Sequence, residues 1–186
     1  MSVAEPIDDG AAAHLVIGLR LPKVELLSTQ GGVVDPTELG RAVIYVYPWT
    51  GRPGFPNPPH WDDIVGAHGS TPQAEAFAAL HERFLATGLE VYGLSGQTSV
   101  DQREFAGRLK LPFALLSDHG FGFADALRLP RFETGGVAYL KRLTLLVRDG
   151  AIAGAIYPVT RPAGHAAEII ARARALAIPR GTAVRR

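Results

Sequence analysis

The 186-residue chain has no cysteine. This excludes disulfides, thiolate nucleophiles and cysteine-ligated metal sites. An excess of either charge is also missing. Nineteen Lys and Arg face eighteen Asp and Glu, a formal net charge of +1. No general electrostatic pull toward nucleic acid or membrane is expected from that balance. Nor does any basic stripe with interleaved aromatics mark a nucleic-acid groove. No apolar run approaches the roughly 20 residues that span a bilayer. The first residues carry Glu5, Asp8 and Asp9 where a secretory signal has a basic region and an apolar stretch, so the chain reads as cytoplasmic.

What is present is enough apolar residue, 47% against 20% charged, to build a sizeable core under a soluble surface. The length suits one domain. A loose N-terminal arm is expected over residues 1–18, a single domain over 19–178 and a frayed tail over 179–186.

Leu21 to Leu27 and Val33 to Val34 flank Gly31-Gly32 and suggest a short hairpin. Ala42 to Tyr47 reads as a buried central strand ended by Pro48. A long proline-rich loop follows to Gly69, and structureless loops of that length inside a domain are usually functional. Ser70-Thr71-Pro72-Gln73 has the spacing of a capping box, with Pro72 in the first turn of a helix. Ala74, Phe77, Leu80, Phe84 and Leu85 share one face of that helix, and Gly88 stops it. Strands at 89–94 and 113–116 alternate with helices at 99–109 and 121–127. Asp149-Gly150 between two apolar runs is a strong hairpin signal, and a helix closes the chain at 163–176. The order predicts an α/β fold with a mixed, mostly parallel sheet covered on both faces. The closing hairpin and helix mark it as thioredoxin-like.

Five segments carry a resemblance. They are Ala42-Val-Ile-Tyr-Val-Tyr-Pro48, Gly69-Ser-Thr-Pro-Gln-Ala-Glu-Ala-Phe77, Val91-Tyr-Gly-Leu-Ser95, Leu111-Pro-Phe-Ala-Leu-Leu-Ser-Asp118 and Lys141-Arg-Leu-Thr-Leu-Leu-Val-Arg-Asp-Gly150. In order and spacing they resemble the peroxiredoxin family, in its alkyl-hydroperoxide-reductase and bacterioferritin-comigratory branch, across most of Leu21 to Leu176. The resemblance implies a thioredoxin-like fold of peroxiredoxin type and a parent activity of reducing hydroperoxides with thiols. It places Ser70 where the family has its peroxide-attacking cysteine and Glu75 where some members have a second, resolving cysteine. Arg142 matches the arginine that polarises the peroxide. The family's Pro-x-x-x-Thr-x-x-Cys spacing is not kept, since positions 63 and 67 are Asp63 and Ala67. Pro48 and Thr50 stand in across the long loop.

The candidate catalytic set is therefore Ser70, Arg142 and His68, the last as a general base two residues before the serine. Pro48, Thr50, Thr71, Trp61 and His119 are the candidate substrate contacts. A helix start offers free N–H groups and a positive dipole end, and Arg142 adds a fixed cation. Such a place ionises a thiol near neutral pH, whereas an alcohol lies far beyond its reach. Thiol peroxidase activity is expected to be absent.

Plainer readings stand beside these. Ser70 also suits a simple helix cap. Glu75 also suits a solvated carboxylate near a helix start, and Arg142 a surface ion pair. His60, His68 and His119 match no metal-ligand spacing, and no metal or cofactor is expected. Gly93-Leu-Ser-Gly-Gln97 begins like a nucleophile elbow, but its fifth residue is not glycine. A pocket reused on a small organic molecule and a non-catalytic binding module both remain open. The expected partners are a small-molecule or peroxide-like ligand and a second copy of the chain.

Overall fold

Side-chain alternation along the buried strands sets the layers. The computed structural model describes residues 5–177. In chain order the elements are β1 (Leu26–Ser28), β2 (Val33–Val34), β3 (Arg41–Val46), α1 (Ser70–Ala79), α2 (His81–Ala86), β4 (Glu90–Ser95), α3 (Ser99–Leu109), β5 (Ala114–Ser117), α4 (Gly122–Ala126), β6 (Arg131–Thr134), β7 (Val137–Leu140), β8 (Leu143–Arg148), β9 (Ala151–Ile156) and α5 (Pro162–Ala177). Seven strands form one sheet in the order β2-β1-β5-β4-β3-β8-β9. The centre, β5-β4-β3, is parallel, and β1 and β8 flank it antiparallel. The fold is the mixed α/β, thioredoxin-like one that the sequence predicts, but the sheet is not mostly parallel: β3-β4 and β4-β5 pair parallel, and the other four pairings are antiparallel.

Ala42, Ile44 and Val46 face one core, together with Leu143, Leu145 and Val147 of β8 and Phe123 of α4. Val43, Tyr45 and Tyr47 face the other, against Phe77 of α1, Phe84 of α2, Phe105 of α3 and Ile169 of α5. The same period of two that buries Leu143 and Leu145 on the first side turns Thr144 and Leu146 toward the second. Arg142 falls on that second side as well, which decides the site.

Several expectations are corrected. Residues 8–18 are not a loose arm. Ala12 and Leu15, three apart on a turn, are buried in the first core, and Gly18 N–H donates to the Ile152 carbonyl at 2.8 Å. The tail expected over 179–186 lies outside the described residues. The helix expected to run unbroken to Gly88 breaks at Leu80, whose φ and ψ are −107° and 8°. An unbroken helix would separate residues 77 and 84 by about 10.5 Å along its axis. The break instead brings the Phe77 and Phe84 rings to 5.4 Å, stacked. It also turns Leu85 away from the core, 46% exposed. The β6–β7 hairpin was missed by the sequence reading. Its turn is Gly135-Gly136, with φ of 58° and 74°, the positive pair that a tight two-residue hairpin requires.

Behind the site, His165 of α5 is buried, with Nε2 2.8 Å from Thr144 Oγ1. Burial holds its pKa below the usual value of 6.5, against the opposing pull of Glu168 and with help from the positive charges of Arg172 and Arg142. A lowered folded pKa means that the unfolded chain takes the proton first as pH falls. The stabilisation is therefore present above about pH 6.5 and is lost below it. Urea midpoints measured from about pH 7.5 down to 5.5 will fall for the native chain and fall less for His165→Gln. Equal falls would show that His165 is not buried neutral.

Candidate functional site

Gly69 prepares the start of α1. It occupies the N-cap with φ of 104°, a region favouring glycine, and a Cβ there would meet Pro162 Cγ at 2.7 Å. α1 can thus begin close against the first turn of α5. Ser70 is the first residue of α1, not its cap, and the capping box is not formed. The reason is a stronger competitor. Arg142 Nη2 donates to Ser70 Oγ at 3.1 Å, and Nη1 of the same guanidinium donates to Gln73 Oε1. Both side chains that the capping reading assigned to backbone N–H groups serve the arginine instead. Serine and glutamine three apart share a helix face, which is the sequence signal that could have found Gln73.

Arg142 is 4% exposed. Its Nη2 also donates to the carbonyl of His68 at 3.1 Å and that of Ala67 at 3.4 Å. The guanidinium thus ties the last turn of the long loop to the start of α1. Burial pulls its pKa down to about 10, which leaves it charged at neutral pH. The site therefore holds a fixed, nearly dry cation directly behind the Ser70 hydroxyl. In the first turn, the N–H groups of Ser70 and Thr71 have no partner within the helix, and Pro72 has none to offer.

In front lies a cavity of about 250 Å³ lined by Trp49, Thr50, Asn57, Trp61, Ser70 and Thr71, among others. Thr50 is buried and locked in place: Gln97 Oε1 accepts from its N–H at 2.9 Å and its hydroxyl at 3.0 Å, and Gln97 Nε2 donates to its carbonyl at 3.1 Å. In sequence Gln97 shows only that a nucleophile elbow is absent; the structure makes it the clamp on Thr50. Trp61 is buried, edge-on to Trp49 at 5.3 Å and to Tyr139 of β7 at 5.0 Å. The hydroxyl of Thr134 on β6 donates to the Pro59 carbonyl. The overlooked β6–β7 hairpin therefore supports the long loop that walls the cavity.

Arg142, Ser70, Thr71, Thr50 and Trp61 are brought together. Others are not. His68 lines the cavity, but its ring bonds Asp62 Oδ1 at 2.8 Å in an exposed pair, and only its backbone carbonyl serves the centre. Pro48 is buried at the end of β3, its carbonyl accepting from Ser95 Oγ at 3.5 Å, and does not line the cavity. His119 is exposed elsewhere, with Nδ1 3.3 Å from the Gly96 carbonyl. His60 pairs with Asp63. The three histidines do not converge, and among the described residues no group of three His, Asp or Glu could hold a metal. Glu75 points to solvent.

Residues 66–154 match the AhpC/TSA family model. Peroxiredoxin Q of Sedum lineare is 50% identical over 52 residues, 28% of each chain. Peroxiredoxin Q of Oryza sativa subsp. japonica is 35% identical over 105 residues, 55% of this chain and 42% of that one. The chain thus spans less than half the length of these curated relatives. Among solved structures, a cysteine-to-serine variant of peroxiredoxin Q from Xylella fastidiosa superposes with a TM-score of 0.71 at 21% identity, covering 88% of this chain and 98% of that one. Peroxidoxin BcpB of Mycobacterium tuberculosis gives 0.70 at 22% identity, covering 88% and 99%. The Xanthomonas campestris bacterioferritin comigratory protein, studied for alkyl peroxide reduction, gives 0.67 at 23% identity, covering 87% and 99%. These likenesses show the same fold.

The arginine's role can be measured by unfolding. Arg142→Met leaves Gln73 Oε1 and the 67 and 68 carbonyls without this donor, at about 1–3 kcal/mol for each buried group left unpaired. A total loss of about 3 kcal/mol or more is expected in urea. A loss under about 1 kcal/mol would mean that the guanidinium organises nothing.

Proposed function

We propose, on the premise that this chain is a peroxiredoxin of the AhpC/TSA family and of its peroxiredoxin Q branch, that it keeps a pocket for a small oxygen-bearing molecule without the family's thiol chemistry. Ser70 stands at the peroxide-reducing position and Glu75 at the resolving one. The observation that carries the reading is the 3.1 Å contact between Ser70 Oγ and Arg142 Nη2 at the first turn of α1.

A cation and a helix start together lower a thiol pKa by a few units. That is enough to ionise cysteine and far short of ionising an alcohol. A serine nucleophile would need an adjacent base. His68 is turned to Asp62, and among the described residues no base bonds the Ser70 hydroxyl. Binding is therefore favoured over nucleophilic attack. The ligand would meet the hydroxyls of Ser70, Thr50 and Thr71 and the free N–H groups of α1, all with a positive bias. That setting suits a hydroperoxide, a carboxylate or another compact oxygen-bearing group.

The native chain will consume hydrogen peroxide with dithiothreitol no faster than buffer. Ser70→Cys will restore turnover: its thiolate would attack the O–O bond, releasing one oxygen as water and leaving a sulfenic acid, which one molecule of dithiothreitol would return to thiol, forming its cyclic disulfide and a second water. Its thiol will also ionise well below the ordinary value of about 8.5 in iodoacetamide-rate profiles. Turnover by the native chain, or an ordinary pKa for the introduced cysteine, would overturn the reading.

A further inference from the structure

A second cavity, of about 300 Å³, shares no lining residue with the Ser70 pocket. Val65, Phe132, Pro158 and Val159 make its walls apolar, and Lys141 and Tyr157 supply its polar edge. Arg142 forms its buried side, with an Nε donor that has no hydrogen-bond partner among the described residues. An apolar recess with a few convergent polar groups, two of them cationic, has the character of a small-molecule site.

The polar edge already holds a carboxylate. Asp9 Oδ2 accepts from Lys141 Nζ at 2.7 Å, and Asp9 Oδ1 accepts from the Tyr157 hydroxyl at 2.8 Å and the Ala11 N–H at 3.1 Å. These donors, led by Lys141, hold the Asp9 pKa down to about 2. Lys141 and Tyr157 therefore form a functioning carboxylate seat, filled from within the chain.

The segment that fills it is weakly attached. Glu5, Pro6 and Ile7 run along the cavity, but Ile7 is 85% exposed and contributes little burial. Pro6 lies beside Gly66. Before the turn that buries Ala12, the rest of the attachment is the Asp9 pair, and exposed ion pairs are weak and salt-screened. A competitor that brings both a carboxylate and an apolar body gains what Asp9 cannot, the burial of that body against Phe132, Val65 and Val159.

We infer that this cavity binds a small carboxylic acid with an apolar, ring-sized body, its carboxylate replacing that of Asp9 on Lys141 and Tyr157. The N-terminal segment acts as an internal competitor. Glu5, the one acidic residue of the lining, is exposed and belongs to that segment, so it leaves with it. The inference does not depend on the reading of Ser70.

Calorimetric titration of the native chain with 3-phenylpropionate, and with 3-phenylpropan-1-ol as the uncharged counterpart, tests it. The acid will bind more tightly than the alcohol. Lys141→Met will cut the acid's preference over the alcohol by about tenfold or more, the scale of one charge-assisted hydrogen bond, since loosening the N-terminal segment helps both ligands alike. Asp9→Asn will tighten the acid several-fold by removing the competitor, and Tyr157→Phe will weaken it. Three results would overturn the inference: acid and alcohol binding alike, the acid's preference over the alcohol indifferent to Lys141→Met, or Asp9→Asn leaving the acid no tighter. Peroxidase activity of Ser70→Cys reports only on the other pocket, so the two readings fail separately.

Discussion

A guanidinium removed from water must find acceptors, and the site is arranged around satisfying one. Arg142 is buried between β7 and β8 and gives its Nη groups to Ser70, Gln73 and the carbonyls of residues 67 and 68. These acceptors come from the end of a long loop and from the first turn of α1. Without the arginine, that loop end and that helix start would each carry buried polar groups in need of another partner. With it, they are held in one geometry, and the cavity in front of Ser70 has a defined back wall.

The sheet makes this possible. β8 pairs antiparallel with β3 over Arg41 to Val46, and its period of two alternates leucines into one core with Thr144 and Leu146 into the other. Arg142 continues the second series toward α1 and α5. Thr144 then meets His165, whose ring lies edge-on to Phe77 at 6.2 Å. Arg142 and Thr144, two apart, thus each find partners on that side, while Leu143 and Leu145 pack into the opposite, apolar core. The front wall is made differently, by aromatic contacts. Trp61 packs against Trp49, Phe132 and Tyr139, joining the proline-rich loop to the β6–β7 hairpin.

Much of this was legible in the residues. The apolar run from Ala42 through β3, the Asp149-Gly150 hairpin and the alternation of strands with helices mark the fold class, because each rests on short-range periodicity. Ser70 and Arg142 could be named as partners only through the family resemblance, since 72 residues separate them. The failures were of two kinds. Ser70 and Gln73 fit a capping box in sequence, but local spacing cannot reveal a buried cation arriving from a distant strand. His68 is expected at the site because it lies two residues before Ser70, and His119 because it lies beside an expected pocket loop, whereas side-chain direction sends one ring to Asp62 and the other to the Gly96 carbonyl. The β6–β7 hairpin escaped because its strands are short, half-buried and weakly patterned, leaving only its glycine pair as a signal. The packed segment at 8–18 escaped for a similar reason: two buried apolar residues on a turn do not make a period.

Absence of cysteine and persistence of the arginine cradle are the two facts to be reconciled, and they meet in the bond between Ser70 and Arg142. A double-mutant cycle of Ser70→Ala and Arg142→Met, read as unfolding free energy in urea, isolates that bond from the arginine's other contacts. A coupling of about 1–3 kcal/mol is expected for a buried hydrogen bond to a charged group. Additive effects, with coupling near zero, would mean that the hydroxyl and the guanidinium do not act together and that the pocket is not built around them.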